Sequence, residues 1–402
     1  MFPLLVKERY HNIDTNYKLA LIRFVFSLGT ASAATIWSLY MHHIGFSDSE
    51  VGYVTGAAVL LSLGIALWST PILEFFRPRR VLILSLLLYT ISYLIAGFSS
   101  SKIVFLFLAG GVATAVTLRF GSFAILFRDT TSRKKLPERE GLMFALVNLG
   151  WFIAPVLIGL LLAQYGFTLV FVLTAGMFFV ALLMLIFSDV FYKQKKFKKI
   201  DGNVFKNLHG YFIRPELIYP YATRFGLNVI NSFIVIYIPI FLVEKGVSPA
   251  YIGGAISVMA LIHALFDFKI GKVIRSRAFK PFFVLGFMLM VIILVGASFI
   301  GNAYLLLAII PFAGVATLFV EPIQDTFFFS LVSKAEDEER LYPIYSTSNQ
   351  AGRFVAKVLP ATVLLFASEQ FAYLSIALVL LAVAFMVVFM KERDILSVAE
   401  CR

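Results

Sequence analysis

GFSDSEVG at residues 45–52 and GVSPAYIG at residues 246–253 are the same turn written twice. Each closes an apolar run led by an Arg-Phe pair, Arg23-Phe24 in the first case and Arg224-Phe225 in the second. The register is 201 residues from the arginine to the last glycine of the turn. A later echo sets GVATAV at 111–116 against GVATLF at 314–319, 203 residues apart. Between Gly150-Trp-Phe and Gly352-Arg-Phe the offset is 202. A repeat sustained over half of a 402-residue chain predicts two matching halves, each built from the same string of helices.

The solvent for those helices follows from composition. Hydrophobic residues make up 60%, charged residues 14%, and mean hydropathy is +0.89, against roughly 25% charged in a soluble domain. A bilayer core takes about 20 apolar residues per helix. Such runs occur near 19–42, 50–72, 81–98, 103–127, 142–163, 168–189, 217–243, 250–270, 281–299, 303–331, 343–366 and 371–390. The expected fold is an all-α membrane protein with twelve transmembrane helices in two six-helix pseudo-symmetric halves. Its parts are an N-terminal half at 1–190, a cytoplasmic central loop at 191–216 and a C-terminal half at 217–402.

Lys and Arg set the orientation, because positively charged loops stay inside. With the N-terminus inside, the inner segments hold Lys7, Arg9, Arg77, Arg79, Arg80, the basic stretches 128–139, 193–214 and 269–280, and the tail, while the outer loops hold only Lys102 and Lys245. Both termini are expected in the cytoplasm of a multi-pass protein of the inner (plasma) membrane. The +12 net charge is this topology signal summed over loops, so the lipid bilayer is the partner it implies and nucleic acid is not. The first helix reads as uncleaved, since no small-residue cleavage site follows Lys7, Arg9 and Lys18. Cys401 is the only cysteine, which excludes an intramolecular disulfide. No His/Asp/Glu metal spacing, Ser–His nucleophile pattern or phosphate loop is present. The chain reads as a non-enzyme with no cofactor and no metal, and any pumping must draw on gradients.

Charge inside a span is costly and usually faces a bundle interior or aqueous cavity. Here the set is Arg23, Arg119, Arg224, His263, Asp267, Glu321, Asp325, Arg353 and Lys357. The third, sixth, ninth and twelfth runs carry none, which places those four outside and the others along a path. Arg23 and Arg224 lie toward the cytoplasmic ends of their spans, so snorkelling competes with a shared role in gating or capturing an anion. Asp267 reads as an ion-pair partner of the nearby Lys269, and His263 as a lone packing residue. Glu321 and Arg353 suggest a pair whose carboxylate exchanges a proton. Thr30 with Ser27, and Asn228 with Asn231, are equivalent polar pairs three residues apart on one face of the first and seventh spans.

At this point the chain resembles the major facilitator superfamily over essentially its whole length, in a drug–proton-antiporter-like form with degenerate motifs. The loop Thr70-Pro-Ile-Leu-Glu74-Phe-Phe-Arg77-Pro-Arg79-Arg80 is similar to the family's Gly-x-x-x-Asp-Arg-x-Gly-x-Arg-Arg loop. Glu74 takes the place of the acid and Arg79 and Arg80 keep the basic end of this gating element. Gly150-Trp-Phe-Ile-Ala154-Pro155-Val-Leu-Ile-Gly159 is similar to the antiporter pattern Gly-x-x-x-Gly-Pro-x-x-Gly-Gly. The family's early arginine in the fourth span is absent from 104–111, and Arg119 comes two turns later.

The resemblance implies an alternating-access secondary transporter, a monomer exporting a small amphipathic or organic molecule in exchange for protons. Glu321 would carry the proton, with Arg353 and Arg119 setting its affinity and Arg23, Arg224, Asp325, Asn228, Asn231 and Thr30 along the path. Alternatives are uptake or exchange of an organic anion of organophosphate type, a lipid flippase, and a non-transporting receptor or membrane enzyme.

Overall fold

The computed structural model describes residues 15–130, 136–188, 204–275, 279–332 and 335–390. They are helical throughout: α1 (Thr15–His43), α2 (Asp48–Phe75), α3 (Pro78–Phe98), α4 (Lys102–Thr130), α5 (Leu136–Ile186), α6 (Val204–Phe212), α7 (Pro215–Glu244), α8 (Pro249–Arg275) and α9 (Phe279–Phe299). The short α10 (Ala303–Leu307), α11 (Ile309–Thr317) and α12 (Gln324–Leu331) follow, then α13 (Ala335–Leu364) and α14 (Glu369–Val388). Among the described residues, nine helices are long and apolar enough to cross a membrane. The protein is an all-α membrane protein.

Three elements depart from twelve uniform spans. α5 runs for 51 residues and is kinked at Gly166, whose φ of 75° and ψ of −176° are non-helical; the kink falls in the turn expected between the fifth and sixth spans. The expected span 303–331 is not one helix. It breaks between α11 and α12 over residues 318–323, around Pro322, which has no N–H to donate and disfavours the α region for Glu321 before it. α13 begins eight residues before the expected run 343–366, with the polar Ala-Glu-Asp-Glu-Glu-Arg stretch.

The repeated turn has the same geometry in both copies. Gly45 and Gly246 adopt φ of 89° and 81°, a left-handed backbone that glycine enters without a Cβ penalty. Gly45 N–H donates to the His42 carbonyl and Phe46 N–H to that of Met41. Gly246 N–H donates to Val243 and Val247 N–H to Leu242, so both helices end in the same Schellman cap. Ser47 and Glu50 then form a reciprocal capping box: Glu50 N–H donates to Ser47 Oγ at 3.2 Å, and Ser47 N–H to Glu50 Oε2 at 2.8 Å.

The described chain divides into two units. Unit 1 holds α1, α2 from Ala58 onward, α3 to α5, and Ser248–Ala260 of α8. Unit 2 holds Ser47–Ala57 of α2, α6, α7, α8 from Leu261, and α9 to α14. These units thus differ from a plain cut at the central loop in the first turns of the second and eighth spans.

In unit 1, α1, α3 and α5 share an aromatic core: Phe178 stacks on Tyr89 at 4.7 Å, and Phe26 meets Tyr89 edge-on at 5.3 Å. Lipid tails are as apolar as leucine, so such helices associate through close packing rather than water exclusion. Close approach is sharpest where α8 crosses α5. A Cβ on Gly253 would collide with the backbone of Pro155 and Gly159, and one on Gly159 with Pro249. In unit 2, Tyr211 of α6 is fully buried among Leu217, Phe328, Leu341 and Tyr345 and donates its hydroxyl to the Leu217 carbonyl at 2.9 Å. The described end of the central loop is therefore packed into unit 2.

Candidate functional site

The break at 318–323 in unit 2 brings Glu321 beside His263 and Asp267. His263, on α8, is 8% exposed. Its Nδ1 lies 2.9 Å from Asp267 Oδ1, one turn on along the same helix, and 3.8 Å from Glu321 Oε2. Its Nε2 lies 3.0 Å from Thr317 Oγ1 at the end of α11. The His263 side chain was expected to stand alone, and Asp267 to pair with Lys269; the structure instead gives each the other as partner. Glu321 lies 3.8 Å from His263, a neighbour that the sequence did not suggest, and 43% of its side chain is exposed.

This geometry supports two hydrogen-bond patterns without moving a heavy atom. An ionised Asp267 only accepts, so Nδ1 carries a proton. Thr317 has one hydroxyl proton, and Oγ1 lies 3.0 Å from Nε2 and 3.0 Å from the Ala313 and Gly314 carbonyls. With a neutral imidazole the hydroxyl donates to Nε2. When Nε2 is protonated it donates to Oγ1, and the hydroxyl turns to a carbonyl. Both states leave every buried donor satisfied, which is what a site that gains and loses a proton needs.

One turn after the break, Asp325 Oδ1 accepts from Arg224 Nη1 at 2.7 Å, and the guanidinium lies 4.6 Å from the Tyr345 ring centre. The Arg224 side chain is 14% exposed, so it is held by partners inside unit 2 and does not snorkel. Asn228 donates to the Arg224 carbonyl at 2.9 Å, while Asn231 Oδ1 is buried without a partner. On α13, Lys357 Nζ donates to the Thr55 carbonyl at 3.3 Å; Arg353 lies one turn before it.

Unit 1 carries the equivalent positions with different chemistry. Arg23 answers to Arg224, and its guanidinium lies 5.5 Å from the Phe26 ring and 5.4 Å from Phe123. Arg119 of α4 is 6% exposed and lies 4.6 Å from Phe26 and 4.0 Å from Phe120. Both arginines line a small pocket with Phe26, Phe123 and leucines of α3. Under the 201-residue offset Ser62 answers to His263; its Oγ donates to the Ala113 carbonyl at 3.3 Å. Under the 203-residue offset, Leu118 and Ser122 stand where unit 2 has Glu321 and Asp325. Thr30 donates to the Ser27 carbonyl at 3.1 Å and is not drawn to either arginine.

Comparison with known proteins fits this arrangement. The sequence profile of the Major Facilitator Superfamily matches residues 19–357. The chain belongs to the Major Facilitator Superfamily.

An uncharacterized MFS-type transporter of Methanocaldococcus jannaschii is 23% identical over 262 residues, covering 62% of this chain and 65% of that protein. Solved structures share the fold at low identity. A POT family transporter in complex with 5-aminolevulinic acid has a TM-score of 0.76 at 11% identity, over 94% of this chain and 96% of that one. The nucleoside transporter NupG has 0.75 at 12%, over 94% and 100%. A bacterial homolog to the human lysosomal transporter Spinster has 0.69 at 16%, over 95% and 97%.

The motif residues of this MFS protein have distinct placements. Arg79 Nη2 donates to the carbonyls of Leu185 (3.2 Å), Ile186 (3.1 Å) and Ser188 (2.8 Å), capping the C-terminal end of α5, where orphan carbonyls and the helix dipole favour a cation. Arg80 is exposed, and the side chain of Glu74 lies outside the described residues. In α5, Gly150 abuts Ser27 of α1, Ala154 is buried, and Pro155 and Gly159 form the floor for Gly253. The antiporter-like motif thus works here as a close-packing surface inside unit 1.

Proposed function

We propose that this MFS protein is an alternating-access secondary transporter that exports a small organic or amphipathic molecule in exchange for protons. It works as a monomer in the inner (plasma) membrane with both termini cytoplasmic, and the loop of Glu74, Arg79 and Arg80 serves as its gate. Family membership and the internal repeat support transport. The observation that carries proton coupling is the half-open Glu321 carboxylate at a broken helix, 3.8 Å from a histidine that Asp267 and Thr317 hold in either protonation state.

Asp267 and Asp325 are the other carboxylates near Glu321. Proton uptake at this cluster on one side of the membrane and release on the other would tie solute movement to the gradient. Arg353 and Lys357, on a different helix of unit 2, supply positive charge to the same path.

Flux in proteoliposomes under an imposed pH gradient tests the reading, with a cationic dye and an organophosphate as solutes. Glu321→Gln is expected to abolish gradient-driven movement while leaving solute exchange at equal pH. Gradient-driven movement undiminished by Glu321→Gln would refute the carrier role. Anion exchange is favoured as the second reading by Arg23 and Arg119, which pair with no carboxylate among the described residues, and it predicts organophosphate movement indifferent to the gradient.

A further inference from the structure

The repeat acts as an internal control on Arg23. Its counterpart Arg224 is neutralised by Asp325 at 2.7 Å. The position answering to Asp325 in unit 1 is Ser122, which is fully buried and spends its hydroxyl on the carbonyls of Leu118 (2.6 Å) and Arg119 (3.3 Å). At these equivalent positions unit 1 therefore has the cation and, in place of the acid, Ser122. It adds a second cation, Arg119, in a position that unit 2 fills with Pro322.

Both guanidiniums bear on Phe26 and line one pocket. Arg119 is 94% buried, given its 6% exposure. Arg23 Nη1 and Arg119 Nε are buried with no hydrogen-bond partner, and among the described residues no carboxylate pairs with either arginine. Aromatic faces offset part of the charge, but a ring gives no acceptor for an in-plane N–H. A buried cation and a half-buried one, each with a buried donor unspent, are costly to fold unless an anion completes them.

We propose that Arg23 and Arg119 form a subsite for the anionic head group, carboxylate or phosphate, of an organic ligand whose apolar part lies against Phe26 and Phe123. The inference rests on the transporter reading for its purpose, since it names the chemical class of the transported solute. The same chemistry is offered by a free amphipathic anion and by an anionic lipid head group.

Thermal unfolding of the purified full chain in dodecyl maltoside tests binding without needing transport. The probes are octyl phosphate and octanoate, octyltrimethylammonium as the cation of matched chain length, and mixed micelles carrying dioleoylphosphatidylglycerol. Octyl phosphate or octanoate raises the unfolding midpoint in a saturable way if the solute is free, and only the phosphatidylglycerol micelles do so if it is a lipid; the matched cation does neither. Arg119→Gln weakens the anion response about 10- to 100-fold, as loss of a charged hydrogen bond requires, and Arg119→Lys keeps most of it. Ser122→Asp gives unit 1 the acid that unit 2 has; it removes the anion response while both arginines remain.

An equal response to the matched cation overturns the proposal, as does no response to any anion. So does an Arg119→Gln or Ser122→Asp protein that answers anions as the parent does. The two readings fail separately. Anion protection without flux in proteoliposomes keeps the subsite and removes the transporter reading, whereas proton-driven flux without anion protection does the reverse.

Discussion

Gly253 and Gly254 are neighbours on one helix, and replacing each by alanine is expected to move stability in opposite directions. Alanine in a helix interior gains roughly 0.5–1 kcal/mol over glycine through lost unfolded-state freedom, and both substitutions share that gain. A Cβ at 254 meets nothing within 4 Å, so Gly254→Ala shows the gain alone. A Cβ at 253 is driven into the carbonyl of Pro155, with Gly159 Cα 3.2 Å away. Both obstacles are backbone, so α5 and α8 must separate, an overpacking cost of about 1–3 kcal/mol. The gap between the two variants is that cost, about 1–3 kcal/mol. For chains of 150–250 residues 1 kcal/mol shifts the midpoint by about 2–4 °C, and somewhat less for a longer one. Tryptophan fluorescence of both variants during heating in one detergent, at one scan rate, reads the gap. Gly253→Ala with Gly159→Ala together should depart from the sum of the single effects, because the two positions touch. Equal midpoints for Gly253→Ala and Gly254→Ala would refute the close approach on which the packing of unit 1 is argued.

Arg79→Ala uncaps the end of α5 and should cost about 1 kcal/mol, read as faster amide exchange confined to the last turn before Ser188; uniform exchange changes would deny the cap. Asp325→Asn strips the carboxylate from Arg224, whose side chain is 14% exposed. Breaking a fully buried pair costs about 3–5 kcal/mol, but Asp325 is 49% exposed, so about 1–3 kcal/mol is expected in thermal unfolding. A midpoint unchanged from the parent would mean that solvent already neutralises Arg224.

Much of the architecture was legible because its causes are local. The Gly-x-Ser turns at 45–47 and 246–248 read as helix stop followed by helix start, and both glycines take the left-handed backbone that this needs. The equivalence of Arg23 and Arg224 was visible in register alone. The break in the tenth span was written in Glu321-Pro322, but a long hydropathic run hid it. His263 and Asp267 stand four apart on one helix face, a spacing that signals an interacting pair, and the neighbouring Lys269 drew attention away. Thr317 was out of reach: it lies 54 residues from His263 and carries no charge to mark it. Ser122 gave no signal either, because what matters there is an acid that is missing, and only the paired Arg224–Asp325 geometry shows that one is needed.

The sequence by itself determined that the chain is an all-helical membrane protein with an internal repeat, where most of its helices turn, and which few residues put charge where lipid forbids it. Hydropathy and glycine placement decide those features within a turn or two of chain. The tertiary structure decided the partners: His263 with Thr317 and Glu321, Arg224 with Asp325, and Arg23 and Arg119 with rings and, among the described residues, no acid. In a bilayer the face toward lipid and the face toward another helix are equally apolar, so pattern cannot say which helix a side chain meets. That choice falls to shape, the glycine surfaces of α5 and α8 among them, and with it the difference between a charge set against an acid and one set against aromatic rings.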